Sequence, residues 1–190
     1  KDEVEKVIRI LPQLEGKASG GYPFSKTLEY LVSLKLHDLK DGFKLLDAAG
    51  GAEAEFSKLA QSYTGASISS FCQDSITVDG KQHSNIEYIS GSIDNVPLDD
   101  GCIDGITCHH SFEHFAQNLD QKFILESLRL LKPGGKLVIV PLFITNIYSE
   151  ITNLKSYHLH DDSAFLIYDS TASFAGWGPY EGFARTYDIE

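Results

Sequence analysis

FKLLDAAGGAEAEFSKLA, residues Phe43 to Ala60, reads as a strand, a tight turn and a helix in direct succession. Phe43, Leu45 and Leu46 make a short apolar run that closes on a carboxylate, Asp47. Ala48 to Ala52 are all small, and Phe56, Leu59 and Ala60 recur at helical spacing. At the first strand of a parallel sheet, such a turn sits in the crevice outside the strand ends, where open α/β sheets bind ligands. On its own the stretch reads first as a plain strand-to-helix connection, because paired glycines are common punctuation. The flanking chain decides.

Upstream, Val4, Val7, Ile8 and Leu11 fall at helical spacing and stop near Pro12. A second helix is predicted from about Ser25, with Leu28, Leu31, Val32 and Leu36 on its inward face. Residues 1–38 then form a helical cap. Downstream, a helix over Glu53 to Ser62 leads to a strand near Gly65 to Ile68, and further strands are predicted at Ile86 to Ile89 and Ile103 to Cys108. A helix capped by Asp120 turns Phe123, Ile124, Ser127, Leu128 and Leu131 inward, and KPGG stops it. Lys136 to Leu142 is almost wholly apolar, as a strand buried on both faces of a parallel sheet should be. Strands alternating with helices predict a doubly wound α/β fold, a mostly parallel sheet with helices on both faces. Residues 143–190 read as an irregular tail on the substrate side, with one strand at Ala164 to Tyr168.

With 190 residues, 42% of them apolar, the chain suits one domain. A formal charge of -11 and the lack of any lysine or arginine run argue against nucleic acid as partner. Cys72, Cys102 and Cys108 are odd in number and lack CxxC spacing, which disfavours a disulfide framework and a zinc knuckle. No apolar run approaches the roughly 20 residues of a membrane helix, so a cytoplasmic protein is expected. With no methionine and a start at Lys1, the sequence reads as a piece of a longer chain.

SGSIDNVPLDDGCIDGITCHHSFEHF followed by ESLRLLKPGGKLVIV carries a more specific pattern. Gly91, Pro97, Asp104, Glu113 with His114, and Leu131 to Gly135 occur in an order that resembles the class I S-adenosylmethionine-dependent methyltransferases from their third strand to their fifth. The likeness covers about Phe43 to Leu142. It implies a Rossmann-like fold, here lacking the usual last two strands, and S-adenosylmethionine as cofactor. In that family the opening turn is acid-x-Gly-x-Gly-x-Gly, and its backbone holds the cofactor's amino-acid end. Asp47 and Gly51 match, whereas Ala49 and Glu53 replace the outer glycines. Alanine suits such a position when φ is negative. Glu53 would pair with the cofactor's ammonium group, fill the site, or simply favour the helix amino terminus.

The family places an acidic residue at the end of the second strand, where it accepts the ribose hydroxyls; counting along GASIS puts Ser67 there. A second carboxylate follows the third strand and meets the adenine amino group, and here Ser92 stands in that place, with Asp94 two residues on and Ile93 offering its backbone NH. The resemblance puts His109 beside the cofactor. His110 is the polar group expected nearest the methyl acceptor, since an imidazole titrates near neutral pH and suits deprotonation of a hydroxyl. Glu113 and His114 are expected to fix the following helix.

The resemblance implies a methyltransferase acting on a small-molecule or sugar substrate, and HSFEHF with the VPLF strand end resembles methyltransferases of polysaccharide biosynthesis; the histidines favour oxygen as acceptor. A homo-oligomer is compatible with the sequence. The alternative is a degenerate methyltransferase-like scaffold, motivated by Ala49, Glu53, Ser67 and Ser92. His158, His160, Asp161 and Asp162 are metal-ligand types in one loop, but a solvated polar loop is expected and no metal is assigned. Tyr22 and Lys26 have the Tyr-x-x-x-Lys spacing of short-chain dehydrogenases, yet they precede the glycine turn, which counts against nicotinamide chemistry.

Overall fold

Strand β1, Lys44–Ala48, is buried at four of its five positions and lies at the centre of a parallel sheet. The computed structural model describes residues 2–14, 22–65, 67–74, 85–172 and 182–189. On one side β1 pairs with β2, Ser69–Asp74, and β2 with β3, Ile86–Ser90. On the other side it pairs with β4, Ile103–His109, and β4 with β5, Leu131–Val140. The order is β3-β2-β1-β4-β5, so the winding reverses between β1 and β4. That reversal is where an open α/β sheet forms its ligand crevice. Because all the pairings are parallel, Ser90, Asp74, Ala48 and His109 finish on one rim.

Helices α1, Asp2–Ile10, α2, Tyr22–His37, and α3, Glu55–Thr64, share a core with β1 in which Val7, Leu34, Leu45, Phe56 and Leu59 are buried. α4, Leu119–Leu130, leads directly into β5. Among the described residues, no helix is long and apolar enough to cross a membrane.

Four local expectations are corrected. The second strand does not run over Gly65 to Ile68: α3 ends on Gly65 with φ +66, and β2 begins at Ser69. Ser67 therefore precedes the strand, where its NH donates to Asp41 and its carbonyl accepts from Gly42, at the end of the sheet opposite the rim. In α2, Leu31 is buried as expected, but Leu28, Val32 and Leu36 are exposed, and Thr27, Tyr30, Ser33, Leu34 and His37 face inward. In α4, Phe123 and Ser127 are buried while Leu128 is exposed. KPGG is a bulge rather than a plain stop: Ile103 faces Leu131 and Gly105 faces Lys136, leaving the residues between out of register.

The chain forms two compact units, Lys1–His109 with Leu125–Val140, and His110–Ile124 with Pro141–Glu190. The second unit turns the expected irregular tail into a small sheet. Its β6, Ser149–Thr152, pairs in parallel with β7, Phe165–Tyr168, which agrees with the strand expected there, and antiparallel with β8, Ala184–Thr186. Within that unit His114 donates from Nδ1 to the Phe183 carbonyl at 2.7 Å, so it ties the segment before α4 to the strand region of β8. Trp177 and Tyr180 lie outside the described residues.

Candidate cofactor site

The turn after β1 is built around the Asp47 carboxylate. This group is buried and accepts from the Ser57 NH at 3.2 Å and the Ser57 hydroxyl at 3.0 Å. A Cβ on Gly50 would stand 2.6 Å from its carboxyl carbon, so the first glycine of AAGG is required by the acid rather than by open space. Burial raises the Asp47 carboxyl to about 6, against the Ser57 bonds and Lys26, which lower it. The side chain thus pins the turn to α3.

Ala49 has φ +53, Gly51 φ +69 and Ala54 φ +46. The condition under which alanine suits this position, a negative φ, is therefore not met: Ala49 occupies the left-handed region despite its Cβ, at a cost of about 1–2 kcal/mol. Strain of this kind is characteristic of ligand-holding turns. A Cβ on Gly51 would meet nothing within 4 Å, so the turn is open at that point. Glu53 does not fill it. Its side chain is 71% exposed and lies 3.8 Å from the Lys58 ammonium, one residue before the left-handed Ala54 that opens α3.

Glu55, in the first helical turn, is the carboxylate with the dense environment. It accepts from Lys26 at 2.8 Å, Tyr30 at 3.1 Å and Gln13 at 3.1 Å. Burial alone would raise its carboxyl, but these donors outweigh burial and hold it below its ordinary value. Lys26 thus bridges α2 to the turn through Glu55, a role unrelated to the dehydrogenase spacing. His109 closes this side of the rim. Its Nε2 is 2.8 Å from the Ser33 hydroxyl, and its ring packs against Tyr30 and Phe56 at centroid distances of 4.9 and 4.6 Å.

On the other side of β1, the residue that ends β2 is Asp74, opposite Ser90. Gly91 follows with φ +147 and open space where a Cβ would be. Ser92 then hydrogen-bonds the Asp94 carboxylate, and Ile93 is buried beside them. Rim, strained turn, terminal acid and the Gly91 loop all fall within the first unit. His110 opens the second unit with φ +49, another non-glycine residue in the left-handed region. Among the described residues no group of three or more histidine, cysteine or acidic side chains is arranged to hold a metal ion; in the polar loop His160 instead pairs with Asp162 at 3.1 Å.

Spacing did not single out Asp74 or Glu55, and it marked Lys26 only for a dehydrogenase pattern unrelated to its contact with Glu55. Asp74 was hidden because SSFCQD lacks the β-branched residues that announce a strand, and register with β1 and β3 places it. Glu55 sat two positions beyond the glycine pattern and gave no signal.

Comparison with known proteins agrees with this geometry. The family described as Methyltransferase domain matches residues 46–139. A demethylmenaquinone methyltransferase of Paenarthrobacter aurescens is 30% identical over 120 residues, covering 60% of this chain and 46% of the relative. A ubiquinone/menaquinone biosynthesis C-methyltransferase of Pseudomonas putida is 27% identical over 143 residues, covering 70% and 52%. The chain thus spans about half the length of these relatives. Among solved structures, a protein of Pyrococcus horikoshii superposes with a TM-score of 0.51 at 24% identity, over 63% of this chain and 58% of its own, which concerns the fold. The matched segment runs from the end of β1 to β5 and contains every part of the rim, and the chain belongs to the class I S-adenosylmethionine-dependent methyltransferases, whose cofactor is S-adenosylmethionine.

Proposed function

We propose that the rim of β1 to β4 binds S-adenosylmethionine and that the protein transfers its methyl group to a small-molecule acceptor. The observation that carries this reading is the alignment of Asp74, the strained turn Ala49 to Ala54 and the Gly91 to Asp94 loop along one edge of the sheet. The backbone around Gly51 takes the amino-acid end, Asp74 the ribose hydroxyls, and Ser92, Ile93 and Asp94 the adenine. A carboxylate accepting two hydroxyls is a bidentate, charge-assisted acceptor, which the expected Ser67 could not be. Asp47 and His109 act by shaping the turn and the rim.

Bound S-adenosylmethionine supplies an electrophilic methyl group on a sulfonium. The protein's share is to align the acceptor with the methyl–sulfur bond and to remove a proton where the nucleophile carries one. His110, held in a left-handed conformation directly after β4, is assigned that second role. The names of the relatives favour a quinone-type ring methylated at carbon; the sugar hydroxyl expected from the sequence draws no support from them. Of the four positions that suggested a non-catalytic scaffold, Ser67 is away from the rim and Glu53 is exposed.

Calorimetry with S-adenosylhomocysteine tests the cofactor site, and transfer of labelled methyl from S-adenosylmethionine to a demethylated quinol tests the acceptor. Binding with turnover of the quinol is expected. Absence of binding defeats the cofactor reading, and binding with turnover of sugar hydroxyls alone defeats the carbon acceptor.

A further inference from the structure

Between β3 and β4 the chain runs from Gly91 to Cys102 without regular secondary structure. It turns at Ser92–Asn95, where the Asn95 NH reaches the Ser92 carbonyl at 3.3 Å, and again at Val96–Leu98, with a 2.7 Å bond from the Leu98 NH to the Val96 carbonyl. Two side chains of α4, Arg129 and Glu126, hold it. Arg129 of α4 donates from Nη1 to the Leu98 carbonyl at 2.8 Å and to Asp100 at 2.7 Å. From Nη2 it donates to the Val96 carbonyl at 3.0 Å and to Glu126 Oε1 at 2.6 Å, and from Nε to Glu126 Oε2 at 2.8 Å. Its own carbonyl accepts from the Gly101 NH at 2.8 Å. Glu126 completes the grip by accepting from the Val96 NH at 2.8 Å.

We infer that Arg129 is the positioning residue for adenine recognition, fixing Ser92, Ile93 and Asp94 through the loop it carries. The inference rests on the cofactor reading above. Five guanidinium donors are all engaged, three of them on loop residues, whereas a helix surface needs at most the Glu126 pair. Buried Ile93 and Val96 supply the apolar anchor, but apolar contact does not set the angle of Ser92 and Asp94. A planar fork does set it, and ordering the loop in advance removes an entropic cost from ligand binding. Lysine, a point charge with three donors, cannot reproduce the fork.

The test compares S-adenosylhomocysteine with S-inosylhomocysteine, in which oxygen replaces the adenine amino group, by calorimetry on the wild type and on Arg129→Lys. The wild type should prefer the adenosyl ligand. In the variant that affinity should fall roughly tenfold, the loss expected for a misplaced hydrogen bond, while the inosyl affinity changes much less. Selectivity therefore collapses in a variant that remains folded by circular dichroism. Equal losses for both ligands, or no loss, overturn the inference. Equal binding of both ligands by the wild type overturns it too, while leaving the cofactor site standing; wild type that binds neither overturns the cofactor reading and this inference with it. Should Arg129→Lys fail to fold, Glu126→Gln is read in the same way.

Discussion

The Asp47 carboxylate lies beneath Gly50, with its carboxyl carbon 2.6 Å from the point a Cβ would occupy there. Acid and glycine are therefore one unit: the carboxylate is anchored by Ser57 and cannot move aside without losing two buried bonds. Gly50→Ala should destabilise the protein by about 2–4 kcal/mol, from overpacking and a disrupted buried hydrogen bond. Gly51→Ala has space for its methyl and should cost only about 1 kcal/mol for its positive φ. Ala49→Gly, at φ +53, should be neutral or stabilising by up to about 1 kcal/mol. Urea denaturation of the three variants checks the ranking, and an equal cost for the two glycines would refute the role given to Asp47.

Two buried groups should give the stability curve opposing slopes. His37 packs against Phe43 and Gly105 with neither ring nitrogen hydrogen-bonded, and burial, aided by Lys136, lowers it to about 4. Its contribution is full above the unfolded value near 6.5 and is lost as pH falls through about 4. Asp47 is raised to about 6, so its contribution is full below the unfolded value of 3.8 and is lost as pH rises through about 6. Each effect is on the order of 3 kcal/mol, and between pH 6 and 4.5 they largely cancel. His37→Gln should make the protein more stable as pH falls across that window, and Asp47→Asn less stable. Chemical denaturation at several pH values reads both slopes, and like slopes in the two variants would sink the account.

The position of the ribose acid is tested by a pair of substitutions. Asp74→Ala should weaken S-adenosylhomocysteine binding roughly 10–100-fold, the loss of one or two charge-assisted bonds. Ser67→Ala should leave affinity unchanged, because that residue lies where the chain enters β2. The reverse outcome in calorimetry would restore the assignment made by counting along the sequence.

The sheet was legible where strands are apolar, as in β1, β4 and the end of β5, and where LKPGG and the Glu-His pair fixed their order. It was obscure where hydrogen-bond register overrides propensity. β2 is SSFCQD, a sequence with little strand preference, and it is placed by partners on both sides. α2 misled for a different reason: it carries two stripes, and the one richer in aliphatic residues is exposed. Its inward stripe includes Tyr30 and Ser33, whose hydroxyls are satisfied by Glu55 and His109, and no periodicity of apolar residues reveals such pairs. The site shared this difficulty, since Glu55, Lys26 and Asp74 are defined by partners distant in sequence.

The second unit should depend on a single cation. Arg185 is buried, donating from Nη1 to Asp120 at 2.8 Å and the Gln117 carbonyl at 3.0 Å, and from Nη2 to Glu150 at 2.7 Å. Tyr187 and Tyr148 add hydroxyl donors at 3.1 Å to Asp120 and Glu150, and Glu150 also accepts from the Asp161 NH at 2.7 Å. Two buried carboxylates thus face one guanidinium, and removing it leaves both uncompensated. Arg185→Met should destabilise this unit by roughly 3–5 kcal/mol, the cost of breaking a buried ion pair from one side. Replacing all three charges, Arg185→Met with Asp120→Asn and Glu150→Gln, should recover much of that loss, because the penalty lies in the stranded charges. Hydrogen exchange at β6 and β8 separates the cases: fast exchange in the single variant and slowed exchange in the triple variant are expected. Exchange as slow as in the wild type after loss of Arg185 alone would show that apolar packing, not the ion cluster, holds the small sheet.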